Sequence, residues 1–417
     1  MTRHLYIHIP FCQRRCSYCD FNTYANLDDR IEAYVDALVE DLRGAHTDAD
    51  DWRRLPKELA LSLPKGEVHA AGAGPAQTGL LRAHLRPTIF LGGGTPTMLS
   101  LEQMERVLDA AALHVPLENA EITVEANPGT VIEEGYLRGL RGLGINRISF
   151  GVQSLHDPTL RMLGRIHTAD EALETYRQAR RAGFDRINLD FIFGLPEQTV
   201  EQWGWTLSRL AELEPDHVSL YSLILEEGTP LHRQVTTGSI RVPDDDVTGA
   251  MYDLAMEHLG RAGLLQYEIS NWARPGVEPV LLPEQAAHHN VAYWLNADYL
   301  AFGAGAHGHL YPRRWHDILG IDAYIATRRE GRAPIAEVTE LDLPDLRAET
   351  MMMGLRLNIG VSYAHFWDRC GAELFDVYGT EIAELVRLGL VVQDNIGVRL
   401  TDRGRVLGNQ VFMRFVA

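Results

Sequence analysis

Short apolar runs suited to buried strands alternate with longer stretches that carry an apolar stripe at helical spacing, through the first two-thirds of the chain. Strands are expected at 5–9, 88–91, 122–125, 147–152, 186–191 and 217–223. Helices are expected at 28–43, from 101 onward, and at 132–143, 170–182 and 199–213. In the first of these, Ile31, Tyr34, Val35, Leu38 and Leu42 form one stripe. Such alternation predicts an α/β fold built from βα units around a parallel sheet. Six repeats make a partial (β/α)6 barrel, and in parallel α/β barrels the chemistry sits at the C-terminal ends of the strands. The unusual residues of this chain fall at those ends: a cysteine run, a triple glycine, Glu125, Gln153 and Asp190.

Two departures from the rhythm divide the chain. Residues 54–86 carry Pro56, Pro64, Gly66 and an Ala/Gly/Pro cluster, more chain than a βα connection needs, and are expected to be an inserted surface loop. After a helix at 244–262 the alternation fades. A strand is expected at 266–271, then an irregular stretch to about 316 rich in proline, histidine and aromatics. From 343 helical patterns return, followed by a short hairpin at 390–392 and 397–400 and a last helix, which suits a smaller, mainly helical winged-helix-like domain. The expected divisions are a barrel over 1–240, an extension over 241–340 and the C-terminal domain over 341–417.

Composition narrows the partners. The 417 residues carry 57 acidic against 39 basic side chains, a formal net charge of −18, which disfavours nucleic acid as a partner. No apolar run approaches the length of a membrane span, and peripheral membrane contact is left open. With four cysteines, three of them clustered, there is no disulfide framework, so a reducing, cytoplasmic setting is expected. The first strand begins at once, leaving no room for a signal peptide.

The clustered cysteines are Cys12, Cys16 and Cys19, spaced C-x3-C-x2-C on a loop directly after the first strand. Iron–sulfur clusters are held by cysteine thiolates, and three ligands on a four-iron cluster leave one iron open to a small chelating molecule. Structural zinc wants four closed ligands, and the remaining cysteine, Cys370, is far away in sequence. The loop reads as a [4Fe-4S] site.

This loop resembles that of the radical-SAM proteins, whose cluster binds S-adenosylmethionine at the open iron. Further runs resemble one branch of that superfamily, which holds the oxygen-independent coproporphyrinogen III oxidases and a group of haem chaperones. They are the Tyr6–Phe11 lead-in, Gly92-Gly93-Gly94-Thr95-Pro96, Glu125-Ala126-Asn127-Pro128, Gly151-Val152-Gln153-Ser154, Leu163-Gly164-Arg165-Ile166-His167, Gly194-Leu195-Pro196 and Tyr267-Glu268-Ile269-Ser270-Asn271. The resemblance implies that Tyr6, Gly93 and Glu125 contact a first S-adenosylmethionine. It likewise assigns Gly94, Thr95, Gln153, Arg165 and Asp190 to a second.

Two places separate the chaperones from the oxidases. The oxidase motif has a fourth cysteine where this chain has Phe21, and a longer segment before the motif than the eleven residues here. The run His289-Asn290-Val291-Ala292-Tyr293-Trp294 is similar to the H-N-x-x-Y-W motif of the chaperones, which makes His289 the implied haem ligand. Extra residues between Gly276 and His289, with an additional His288, shift the spacing and leave open which histidine, if either, faces the ligand. The implied function is a chaperone that binds cluster, S-adenosylmethionine and haem and passes haem to acceptor apoproteins; the competing one is oxidative decarboxylation of coproporphyrinogen III. Gly303-Ala304-Gly305-Ala306-His307-Gly308 has the form G-x-G-x-x-G, but Leu310-Tyr311-Pro312 follows where a dinucleotide site needs a helix.

Overall fold

The computed structural model describes residues 4–47, 53, 85–130, 133–277 and 282–416. The inserted loop expected over 54–86 lies outside the described residues up to position 84. Six parallel strands form the centre of the sheet: β1 (His4–Ile9), β2 (Thr88–Gly93), β3 (Glu121–Ala126), β4 (Arg147–Gln153), β5 (Ile187–Phe193) and β6 (His217–Ser222). The sheet runs beyond the expected six. A hairpin of β7 (Leu265–Glu268) and β8 (Asn271–Ala273) adds antiparallel to β6, and β9 (Leu300–Phe302) adds parallel to β1.

Strand alternation decides what each face does. On β1, Leu5, Ile7 and Ile9 are fully buried, and so are Ile89 and Leu91 on β2. Together with Val124, Ile148, Leu189, Val218 and their neighbours they form one hydrophobic cluster with the surrounding helices. The intervening positions are largely polar: His4, Tyr6 and His8; Thr88; Glu121, Thr123 and Glu125; Arg147 and Ser149; Asn188 and Asp190; His217, Ser219 and Tyr221. The barrel thus keeps its grease outside and its chemistry inside. The helices Leu101–Ala111, Ala169–Arg181 and Val200–Glu212 each start with a reciprocal capping box, from Ser100, Thr168 and Thr199, which satisfies free N–H groups at the helix start.

The strand expected at 266–271 is broken by a turn at 269–270 into the end of β7 and the start of β8. Buried Glu268 accepts from the Ser270 N–H at 3.2 Å and from the Asn271 side chain, and these bonds stabilise the reversal. The stretch expected to be irregular contains the helix His288–Trp294 and the hairpin of β10 (His307–Leu310) and β11 (Arg313–Asp317), to which β12 (Ile335–Glu340) adds antiparallel from beyond it. Beyond it a second hydrophobic cluster gathers the helices Leu343–Gly354, Tyr363–Cys370 and Leu374–Arg387 under a small antiparallel sheet. Met351 and Cys370 are buried there as packing groups. Among the described residues, no helix is long and apolar enough to cross a membrane.

Candidate functional site

A cavity of about 430 Å³ opens at the C-terminal end of the barrel. Cys12, Cys16 and Cys19 form one wall, and Gly93, Gly94, Thr95, Glu125, Gln153, Arg165 and Asp190 line the remainder with their neighbours. These ten residues are separated by up to 178 positions in sequence, and the strand ends bring them together.

The cysteine loop is held at several points. Phe11–Cys12 pairs with Tyr24–Ala25, and the Tyr24 N–H donates to the Pro10 carbonyl at 2.8 Å. Gly94 and Thr95 donate to the Ile9 and Phe11 carbonyls at 2.9 and 2.7 Å. A Cβ on Gly94 would lie 2.6 Å from the Phe11 oxygen, so only glycine lets the loop lie this close. Gly93 has φ of 105°, and a Cβ there would meet the His8 ring at 2.3 Å. His8 donates through Nε2 to the Asn22 carbonyl at 2.9 Å and accepts from the Tyr6 hydroxyl at 2.9 Å, tying β1 to the loop.

All three thiols are free. Thr95 donates towards the Cys12 sulfur at 3.7 Å, and Arg165 Nη1 towards the Cys16 sulfur at 3.3 Å. Burial pushes the Cys12 and Cys19 thiols up from their ordinary range. No three His, Cys, Asp or Glu side chains among the described residues converge closely enough to hold a single ion. Three cysteines serving a four-iron cluster each hold a different iron, so they stand apart around a space. Soft thiolate donors beside a glycine-lined wall fit such a cluster.

Two carboxylates face the cavity from neighbouring positions. Glu125 accepts from the Gly93 N–H at 2.9 Å, yet burial and the Asp190 charge push it up to about 7. Asp190 accepts from Ser149 and Asn188, each at 2.8 Å, and burial raises it above the usual carboxylate range. Gln153 has φ of 69° at an irregularity in the β4–β5 pairing, and Arg165 donates to the Gly151 carbonyl beside it. A bulge of this kind re-aims a side chain into a site. A planar guanidinium and two hydroxyl-accepting carboxylates can take an amino-acid carboxylate and a ribose.

Two expected site residues are elsewhere. Tyr6 lies below the cavity, stacked on Phe90 at 6.2 Å. His289 sits at the opposite end of the barrel, 2 % exposed, in the helix His288–Trp294. Its Nδ1 lies 2.6 Å from the Thr88 hydroxyl, its Nε2 2.9 Å from the Tyr293 hydroxyl, and its ring stacks on Phe90 at 5.1 Å. Its main-chain N–H donates to Glu121 at 3.2 Å. His288 Nδ1 accepts from the Arg86 N–H at 3.1 Å. Neither histidine faces the cavity, because the helix carrying them is anchored to the starts of β2 and β3. Tyr18, Asn127, Ser149 and Tyr221 line the cavity without having been singled out. Tyr221, 44 % exposed, was accessible to strand alternation as the inward partner of His217 and Ser219.

A cysteine loop on the first strand of a parallel α/β barrel, opening on a cavity lined by strand ends, is the architecture of the radical-SAM superfamily. The superfamily's profile, described as "Radical SAM superfamily", matches residues 77–210, and one described as "HemN C-terminal domain" matches 341–407. Heme chaperone HemW of Bacillus subtilis is 33 % identical over 415 residues, covering 99 % of this chain and 98 % of that protein. The bovine mitochondrial protein named radical S-adenosyl methionine domain-containing protein 1 is 34 % identical over 96 % of this chain and 84 % of its own length. Among solved structures, coproporphyrinogen III oxidase (HemN) from Escherichia coli superposes with a TM-score of 0.77 at 23 % identity, covering 99 % of this chain and 90 % of that one, and so shares the fold. The chain belongs to the HemW haem-chaperone family.

Proposed function

We propose that this protein is a haem chaperone that carries a [4Fe-4S] cluster on Cys12, Cys16 and Cys19, binds S-adenosylmethionine, and delivers haem to acceptor apoproteins. The carrying observation is the gathering of the three free thiols, the glycine wall, Glu125, Gln153, Arg165 and Asp190 around one cavity, in a chain related to HemW over its full length. When bound, the cluster supplies an electron to S-adenosylmethionine. In this reading Glu125 accepts from ribose hydroxyls, Gly93 and Gly94 admit the ligand against main chain, and Arg165 takes a carboxylate. Tyr6 positions His8 through its hydroxyl and thereby the cysteine loop. Gly94, Thr95, Gln153, Arg165 and Asp190 are the residues this reading assigns to a second S-adenosylmethionine. We further read 1–240 as the barrel, 241–340 as the family's extension and 341–417 as the C-terminal domain, and the compartment as cytoplasmic.

The test is a haem titration of the anaerobically reconstituted protein followed by the Soret band, then transfer to an apo-haemoprotein. Saturable binding and transfer are expected. Absence of binding, with conversion of coproporphyrinogen III to protoporphyrinogen IX by the reduced protein, would replace this reading with the oxidase.

A further inference from the structure

Inside the barrel a file of polar side chains runs from the floor to the cavity. On adjacent strands the register sets Asn188 of β5 beside His217 of β6, and Asp190 beside Ser219. Asn290, in the helix His288–Trp294, donates through Nδ2 to the Tyr267 hydroxyl at 3.1 Å, and that hydroxyl lies 2.9 Å from His217 Nε2. His217 Nδ1 lies 2.6 Å from Asn188 Oδ1, and Asn188 Nδ2 donates to Asp190 Oδ1 at 2.8 Å. Asp190 borders the cavity, whereas Tyr267, His217 and Asn188 are buried behind it.

The direction of each bond follows from the carboxylate end. An ionised carboxylate only accepts, so Asn188 turns its NH2 to Asp190 and its Oδ1 to His217. An amide oxygen also only accepts, which places the one proton of a neutral His217 ring on Nδ1 and leaves a lone pair on Nε2. Burial keeps that ring neutral, and burial likewise holds the proton on Tyr267, whose O–H then donates to Nε2. Four donors therefore point the same way, towards the cavity. The opposite His217 tautomer would present a lone pair to Asn188, turn the amide round and set its oxygen against the Asp190 carboxylate. Ser149 and Ser219 flank the amide, but a hydroxyl rotates to serve either orientation, so they do not decide between the two.

What this file ends on is a buried acid. Burial raises Asp190, while Ser149, Ser219 and Asn188, and after them Arg165, favour its charge. Glu125, from β3, stands close enough for the two carboxylates to repel, and Tyr221, from β6, keeps its proton through burial. Hydrogen bonds that run in one direction polarise one another, which strengthens the last of them. S-adenosylmethionine carries two positive centres, an ammonium and a sulfonium, and an ionised carboxylate at the cavity wall suits either.

We propose that His217 is a positioning residue: with its proton on Nδ1 and its Nε2 reserved by Tyr267, it turns the Asn188 amide so that an N–H faces Asp190 and keeps that carboxylate ionised towards the cation of a bound S-adenosylmethionine. The proposal rests on the reading that gives Asp190 to the second S-adenosylmethionine, and adds what prepares it.

The experiment uses the anaerobically reconstituted full chain. Nitrogen NMR of histidine-labelled protein, with the His217 signals assigned by their loss in His217→Leu, is expected to show the Nδ1–H tautomer; the Nε2–H tautomer would overturn the proposal. Calorimetry with S-adenosylmethionine then reads the second equivalent as a function of pH. In His217→Leu its affinity is expected to fall by about threefold to tenfold at pH 7, and its loss on acidification to set in about half a unit to one unit higher. Glu125 titrates in both proteins, so the shift between them carries the result. His217→Asn, which can still donate to Asn188, is expected to recover most of the affinity and the unshifted profile. Tyr267→Phe, the milder variant should His217→Leu not fold, is expected to mix the two tautomers and shift the profile the same way by less. An unchanged affinity and profile in His217→Leu, or equal losses in His217→Leu and His217→Asn, would overturn the proposal. A single equivalent bound by the unsubstituted protein would overturn the reading beneath it, which the tautomer does not test.

Discussion

The two ends of the barrel are built from the same alternating polar positions yet hold them in opposite conditions. At the floor, Glu121 is fully buried with Arg147 at 4.0 Å and Arg186 at 3.7 Å, and it also receives the His289 N–H. The helix His288–Trp294 packs over these groups, and His289, Asn290 and Tyr293 are spent on bonds to Thr88, Tyr267 and one another. At the mouth, thiols, a guanidinium and two carboxylates face open space, and Glu125 is left so poorly compensated that its pKa reaches about 7. Polar groups paired with one another beneath a packed helix hold a structure together; those bordering a cavity are open to a ligand. The difference is why we place the proposed function at the mouth.

Breaking the floor should cost the most stability. Glu121→Gln leaves two buried guanidiniums without their carboxylate, and an expected loss of about 3–5 kcal/mol follows from uncompensated buried charge. Denaturant unfolding measures it. A loss below about 1 kcal/mol would mean the floor is not the structural half of the barrel.

A smaller effect sharpens the mouth. A deprotonated carboxylate accepts from ribose hydroxyls at both oxygens and more strongly than a carboxyl does, so affinity for S-adenosylmethionine should fall, by up to about tenfold per pH unit, below 7, and Glu125→Gln should flatten that profile. Calorimetry at pH 6, 7 and 8 reads this directly; a flat wild-type profile would remove Glu125 from the ligand. The stability sign is opposite. A carboxyl raised from 4.5 to about 7 on folding contributes stability at low pH that is lost as pH rises through 7. Glu125→Gln should therefore gain stability over the unsubstituted protein at pH 8 and not at pH 4.

Much of this was readable from residues alone. The parallel strands lie within about two residues of their expected bounds, because a strand buried on one face by helices and a following capping box are both local signals. That the cysteines, the triple glycine, Glu125, Gln153 and Asp190 would meet at one end was legible because strand ends converge in any parallel barrel, whereas Arg165, which joins them around the cavity, came from the resemblance alone. Elements of three to seven residues at 288–317 show too little periodicity to declare themselves. The hairpin at Leu265–Ala273 hid inside a strand-like run because its turn depends on the buried Glu268 carboxylate. The position of His289 was left open for a different reason. A motif tells which residues share a helix face, and His289 and Tyr293 do, but which end of the barrel that helix seals depends on the path of the chain after β8.

The most direct test of the central claim, that the mouth is a cluster site with an iron open to S-adenosylmethionine, is electron paramagnetic resonance of the anaerobically reconstituted, reduced protein. The account predicts the signal of a reduced [4Fe-4S] cluster that changes shape when S-adenosylmethionine is added and vanishes in Cys12→Ser. Stoichiometric zinc in place of iron, or a cluster signal indifferent to S-adenosylmethionine, would contradict it.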